Sequence, residues 1–127
     1  TADAGRAALD EAANFVRVAG LPLPADQNSL MQVPHHGSRH NVSTETLDRW
    51  LGEVGEEHQE TRSYAIVSAG KDDLDHPRQV VVRAFIHRGA EVSQTKGKTL
   101  CFSGGAAPGR KGWGPTTPLS YPTSYEE

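Results

Sequence analysis

Ser29-Leu30-Met31-Gln32-Val33-Pro34-His35-His36-Gly37-Ser38 decides how the rest of the chain is read. Residues 29–34 have the length and apolar content of a short strand. Pro34 has no amide to give a ladder, so it ends the strand. His35 to Ser38 then form a loop at the strand's C-terminal end. Two adjacent imidazoles there make a candidate metal site, because imidazole is a common nitrogen ligand for zinc- and manganese-type ions. Gly37 lets the backbone turn sharply, and Ser38 can orient a ring or a substrate oxygen. A polar loop with solvated imidazoles is the plain alternative.

Upstream, residues 4–19 predict a helix. Leu9, Ala12, Ala13, Val16 and Ala19 recur at helical spacing, and Gly20, Pro22 and Pro24 stop it. Downstream, Ser43 is a natural N-cap for a helix over 44–54, with Leu47, Leu51, Val54 and Trp50 as its buried stripe. Residues 55–61 are polar and loop-like. Tyr64-Ala65-Ile66-Val67-Ser68 is short and apolar enough for a buried strand, and Gly70 closes it. A charged turn over 71–75 leads to a third helix at Pro77, the favoured first helical position, with His76 at the cap. Val80, Val81, Ala84 and Phe85 give that helix its apolar face, and Gly89 ends it. Residues 90–95 and 99–103 predict two strands joined as a hairpin through Lys96-Gly97-Lys98. Alternating strands and helices predict an α/β layered fold.

The chain has 127 residues, enough for one small domain or part of a larger one. Hydrophobic residues make up 35%, so a core is possible but thin. The net charge of −3 gives no global basic field to draw in nucleic acid. No apolar run reaches the roughly 20 residues of a membrane helix, so no membrane segment is expected. Cys101 is the only cysteine. It cannot form an internal disulfide, so a reducing cytoplasmic setting is expected, and its apolar surroundings predict a core position. Residues 104–127 hold five Gly and four Pro and predict a tail that is extended or disordered, with Trp113, Tyr121 and Tyr125 as residues for wrapping a partner.

Two further stretches carry chemistry. In Asp72-Asp73-Leu74-Asp75-His76-Pro77, a histidine at a helix start is kept neutral by the dipole and can ligate a metal or hydrogen-bond an anion. An ordinary capping turn is the plain alternative. In Thr1-Ala2-Asp3, Asp3 precedes a helix and can act simply as its cap. His40, His58 and His87 have no partner pattern and are expected at the surface.

Together, and in this order, these stretches resemble the C-terminal half of the metallo-β-lactamase superfamily. The similar branch contains the hydrolase domain of DNA-uptake competence proteins and phosphorylcholine esterases. It carries a strand-end Thr-Gly-Asp, a strand ending in Val-Pro-His-His-Gly-Ser, a Ser-x-Gly turn, and a His-Pro before the next helix. Here these are Thr1-Ala2-Asp3, Leu30 to Ser38, Ser68-Ala69-Gly70 and His76-Pro77, and Gly89-Ala90-Glu91-Val92 leads into the last strands. Ala2 stands where the family has Gly. The resemblance covers residues 1 to about 103 and implies the C-terminal half of an αββα sandwich.

The resemblance also implies a site. Asp3 would bridge two divalent metal ions, zinc or manganese. One of His35 and His36 would ligate a metal, and the other would contact substrate or orient the ligand. His76 would meet the phosphoryl or leaving group, with Ser38 and Asp72 as supporting residues. The implied reaction is phosphodiester hydrolysis by a metal-activated hydroxide, on nucleic acid, a small nucleotide or a phosphocholine ester. Arg39 and Lys71 are available to hold phosphate. The family's His-x-His-x-Asp-His motif is absent from these 127 residues. An N-terminal half carrying it is therefore the expected partner, across a core-like interface, from the same gene product or a separate chain. Two other readings compete: a non-catalytic interaction module of the same fold, and a single-metal domain using Asp3, His35 and His36.

Overall fold

The computed structural model describes residues 3–24, 29–55, 60–103 and 107–124. Thr1, Ala2, His58 and Tyr125, which carried expectations above, lie outside the described residues. The chain forms α1 (Arg6–Val18), β1 (Ser29–Gln32), α2 (Thr44–Leu51), β2 (Ser63–Val67), α3 (Gln79–Ile86) and β3 (Ala90–Gln94). Short 3-10 turns cover Pro34–Gly37 and Arg39–Asn41. The three strands pair in parallel in the order β1-β2-β3, so the fold is mixed α/β.

Register assigns each strand residue to a face, because side chains alternate along a strand. Met31, Ala65 and Val92 stand side by side on one face, flanked by Val33, Val67 and Ala90. Leu47 and Leu51 of α2 and Val81, Val82 and Phe85 of α3 close over that face to form the core. Leu30, Tyr64, Ile66 and Glu91 lie on the other. No helix covers that second face among the described residues; Leu30 is 51% exposed, and Phe102 sets its ring 6.3 Å from that of Tyr64. α1 packs on α2 rather than on the sheet. Trp50 Nε1–H donates to the Leu9 carbonyl at 3.2 Å, and the Thr46 hydroxyl donates to Asp10 at 3.1 Å. The buried Arg88 ties α2 to α3, donating to Asp48 Oδ1 at 2.7 and 3.0 Å and to the Ala84 carbonyl at 2.9 Å.

Several expectations need correction. The second helix stops at Leu51, not at 54, because Gly52 takes φ +91° and its amide closes back on Asp48. Val54 is consequently exposed. The third helix starts at Gln79, not at Pro77: Arg78 keeps extended backbone and donates its amide to the Gly37 carbonyl at 3.2 Å. Residues 99–103 form no strand and the hairpin is absent. The chain doubles back at once, with Lys98 N donating to Thr95 O at 2.7 Å, and Cys101 is exposed rather than in the core. The outer edge of β3 instead meets Leu119, whose amide donates to Val92 O at 2.7 Å. The Ser93 hydroxyl donates to that of Thr116 at 3.2 Å and Arg83 of α3 donates to Pro122 O at 3.0 Å, so the tail meets β3 at 116 and 119 and α3 at 122.

Candidate functional site: the histidine edge of the sheet

All three parallel strands point their C-terminal ends to one edge, where loops from different strands converge. Such edges are where open α/β sheets place ligands. β1 extends one residue further, as Val33 N donates to Ile66 O at 2.8 Å, and the buried Pro34 follows. The backbone then enters the left-handed region at His35 (φ +46°), His36 (φ +55°) and Gly37 (φ +86°). Each of the two histidines there costs on the order of 1–2 kcal/mol against ordinary backbone, strain of a kind that clusters at functional sites. Gly37 is required twice over. Besides its positive φ, a Cβ at this position would sit 2.7 Å from Pro77 Cβ. That close seating, with the Arg78 amide bond to Gly37, brings His76 beside the His35-His36 turn. Ring centroids are 5.8 Å apart for His35 and His36, and 6.4 Å for His36 and His76.

Each of these imidazoles has the same nitrogen engaged. His36 Nδ1–H donates to the Ser68 carbonyl. His35 Nδ1 lies 3.4 Å from Asp3 Oδ1. His76 Nδ1 lies 3.1 Å from Asp73 Oδ2 and 3.3 Å from Oδ1. A ring whose Nδ1 faces an oxygen acceptor carries its proton there, which leaves the Nε2 lone pair to meet a ligand. The supports are themselves held. Asn41 Nδ2 donates to Ala4 O at 3.2 Å, which ties the Asp3 segment to the histidine loop. Thr95 follows β3, and its hydroxyl donates to Ala69 O and accepts from Ala69 N, both at 3.0 Å, fixing the turn that presents Ser68 O.

Asp73 is a site residue that sequence reasoning missed. Its Oδ1 accepts the amides of Asp75 and His76, both at 3.0 Å, in addition to facing the His76 ring. Burial pushes its carboxyl up, but those two amides and the His76 side chain outweigh it, so the pKa lies below the ordinary aspartate value. Asp72, the expected support, is exposed, and the carboxylate on His76 is its neighbour's. The signal was present: an aspartate followed by donors two and three residues on is the Asx-turn pattern.

Ser38 is buried, but its hydroxyl accepts from His40 N at 3.4 Å and so caps the next turn instead of turning toward a ring. Asp3, at 77% exposure, is brought to His35. Arg39 and Lys71 are both exposed. His87, expected at the surface, is half-buried and shares a hydrogen bond with the Tyr121 hydroxyl through Nε2. Among the described residues, no three His, Cys, Asp or Glu side chains are arranged to hold a metal ion by themselves. No helix of the described residues is long and apolar enough to cross a membrane. No family model, curated protein or solved structure matches the chain.

Proposed function

We propose that this chain contributes the C-terminal half-site of a metal-dependent phosphodiester hydrolase of the metallo-β-lactamase type. The observation that carries the reading is the shared anchoring of His35, His36 and His76. Of three imidazoles at one sheet edge, His36 and His76 have Nδ1 hydrogen-bonded to an oxygen acceptor and His35 Nδ1 lies 3.4 Å from Asp3 Oδ1, with Nε2 of each left for a ligand. That is the arrangement of metal-binding and phosphate-facing histidines, whose other nitrogen is oriented by a carboxylate or carbonyl. Imidazole and carboxylate donors without thiolate suit zinc or manganese.

His35 and His36 would hold the metal through Nε2, and Asp3, whose Oδ1 lies 3.4 Å from His35 Nδ1, would share in holding it. His76, oriented by Asp73, faces the phosphoryl or leaving-group oxygen; as an imidazolium, with Nε2 protonated as well, it can hydrogen-bond that oxygen through Nε2–H and pass the proton to it. The metal ions supply, when bound, a hydroxide at neutral pH and charge stabilisation of the phosphoryl oxygens. The remaining ligands come from a segment carrying His-x-His-x-Asp-His. The sheet face bearing Leu30, Tyr64 and Ile66 is where that partner layer packs, since parallel sheets are normally covered on both faces.

The test is assembly with such a segment, followed by metal analysis and an assay on bis(p-nitrophenyl) phosphate. The expected result is two zinc or manganese ions per assembly and cleavage that His35→Ala or His36→Ala abolishes while folding stays nearly intact. Full activity in both single variants would overturn the metal assignment. A non-catalytic interaction module is the second reading, motivated by the absence of His-x-His-x-Asp-His from these 127 residues. It predicts assembly with neither metal uptake nor cleavage.

A further inference from the structure

A cleft of about 390 Å³ opens beside His76. One wall is the sheet-and-helix body, through Gln79, Gln94 and Lys96, and the other is the tail, through Ser120 and Thr123. The tail wall is fixed from behind. Arg83 Nη1 donates to Pro122 O at 3.0 Å, and its guanidinium lies 4.6 Å from the centre of the Tyr121 ring. The Tyr121 hydroxyl engages His87, and Leu119 joins β3 through its amide. The polar side chains lining the cleft among the described residues are amides, hydroxyls, His76 and the cation of Lys96, with no Asp or Glu among them. Amides and hydroxyls that can donate, together with one cation, suit an anion.

We infer that this cleft binds the phosphate group of a phosphate ester, with Lys96 as its charged contact, and that residues 119–124 determine which ester reaches His76. The inference deepens the hydrolase reading in its substrate class, yet phosphate binding by the cleft does not require bound metal.

The experiment is a titration of the full 127-residue chain, free of metal, with inorganic phosphate and then with phosphorylcholine, followed by amide and imidazole NMR shifts. Both ligands should move the Lys96, Ser120 and Thr123 amides and the His76 ring along saturating curves and leave Thr44 unmoved. Lys96→Gln should weaken phosphate on the order of fivefold. Tyr121→Phe should weaken phosphorylcholine more than phosphate, because the tail wall meets the organic part. Shifts spread equally over Arg39, Arg110 and Lys111 would overturn the inference, as would unchanged affinity in Lys96→Gln. In the assembled protein, saturable binding at these residues without cleavage would remove the hydrolase reading and leave the cleft. Cleavage with the same kcat/KM for several esters in wild type and Tyr121→Phe would remove the cleft and leave the hydrolase.

Discussion

His87 and the edge histidines use opposite nitrogens. At the sheet edge, His35, His36 and His76 each turn Nδ1 inward to an oxygen acceptor. At the base of α3, His87 commits Nε2 to Tyr121. The residue type is the same, and burial does not separate the two sites, since His76 and His87 are both half-buried while His35 and His36 are exposed. What differs is the end of the ring that remains available. Nε2 is the less hindered nitrogen, so a histidine anchored by Nδ1 is set up to reach outward. One anchored by Nε2 is part of a joint between segments.

The sharpest way to break this contrast is to remove one ring of each kind. His36→Ala should lower activity of the assembled enzyme at least about 100-fold. His87→Ala should leave metal affinity unchanged and loosen only the tail; equal losses of metal affinity in the two variants would erase the distinction. Asp73→Asn comes next. It keeps the shape but weakens the partner of His76, and should cost about 10- to 100-fold in activity with most of the fold's stability intact. Its separating readout is the pH profile, which should shift in the variant, whereas a purely structural effect would lower the profile uniformly.

Gly37→Ala tests the backbone beneath both rings. A methyl group against Pro77 in a left-handed conformation should destabilise the chain by about 1–3 kcal/mol, read as a lowered Tm. Tyr121→Phe, on the other side of the comparison, should cost about 1 kcal/mol, seen as faster amide exchange at Leu119 without change at His36. The smallest effect is acid sensitivity at Asp73. Because its pKa is lowered in the fold, its contribution to stability is complete above the ordinary aspartate value of about 4. It is lost as pH falls through the lowered value, where the native carboxylate takes up its proton. The Asp75 and His76 amides should shift in that window in the native protein and stay still in Asp73→Asn.

Those residues also mark how far the sequence could be followed. β1, β2 and the bodies of the three helices were legible because local spacing and burial agree: Leu47 and Leu51, or Ala65 and Val67, are apolar where their element faces the core. The start of α3 was not legible, because Pro77 has the local chemistry of a first helical residue but is used to seat Gly37 from 40 residues earlier. The absent strand at 99–103 follows the same logic. Its apolar content suits a strand, but β3 receives Leu119 at its outer edge. Within the site, the histidines could be picked out by their adjacency and order. Which nitrogen each presents could not, because the acceptors Ser68 O, Asp3 and Asp73 reach them through the fold. Choosing Asp73 over Asp72 in a run of carboxylates needed the Asx turn to be weighed.

Thr95 has a wider consequence than its two hydrogen bonds suggest. Its hydroxyl both accepts from and donates to the backbone of Ala69, so the first residue past β3 and the turn after β2 are clamped as one strut. Lys96 adjoins that strut on the cleft side, and Ser68, the acceptor for His36, adjoins it on the other. The groove proposed to take phosphate and the imidazole proposed to meet metal therefore share a single crossbeam. Mutations at position 95, which would shift Lys96 in the groove, should retune His36 as well, so the groove is more safely varied along the tail, on its far bank.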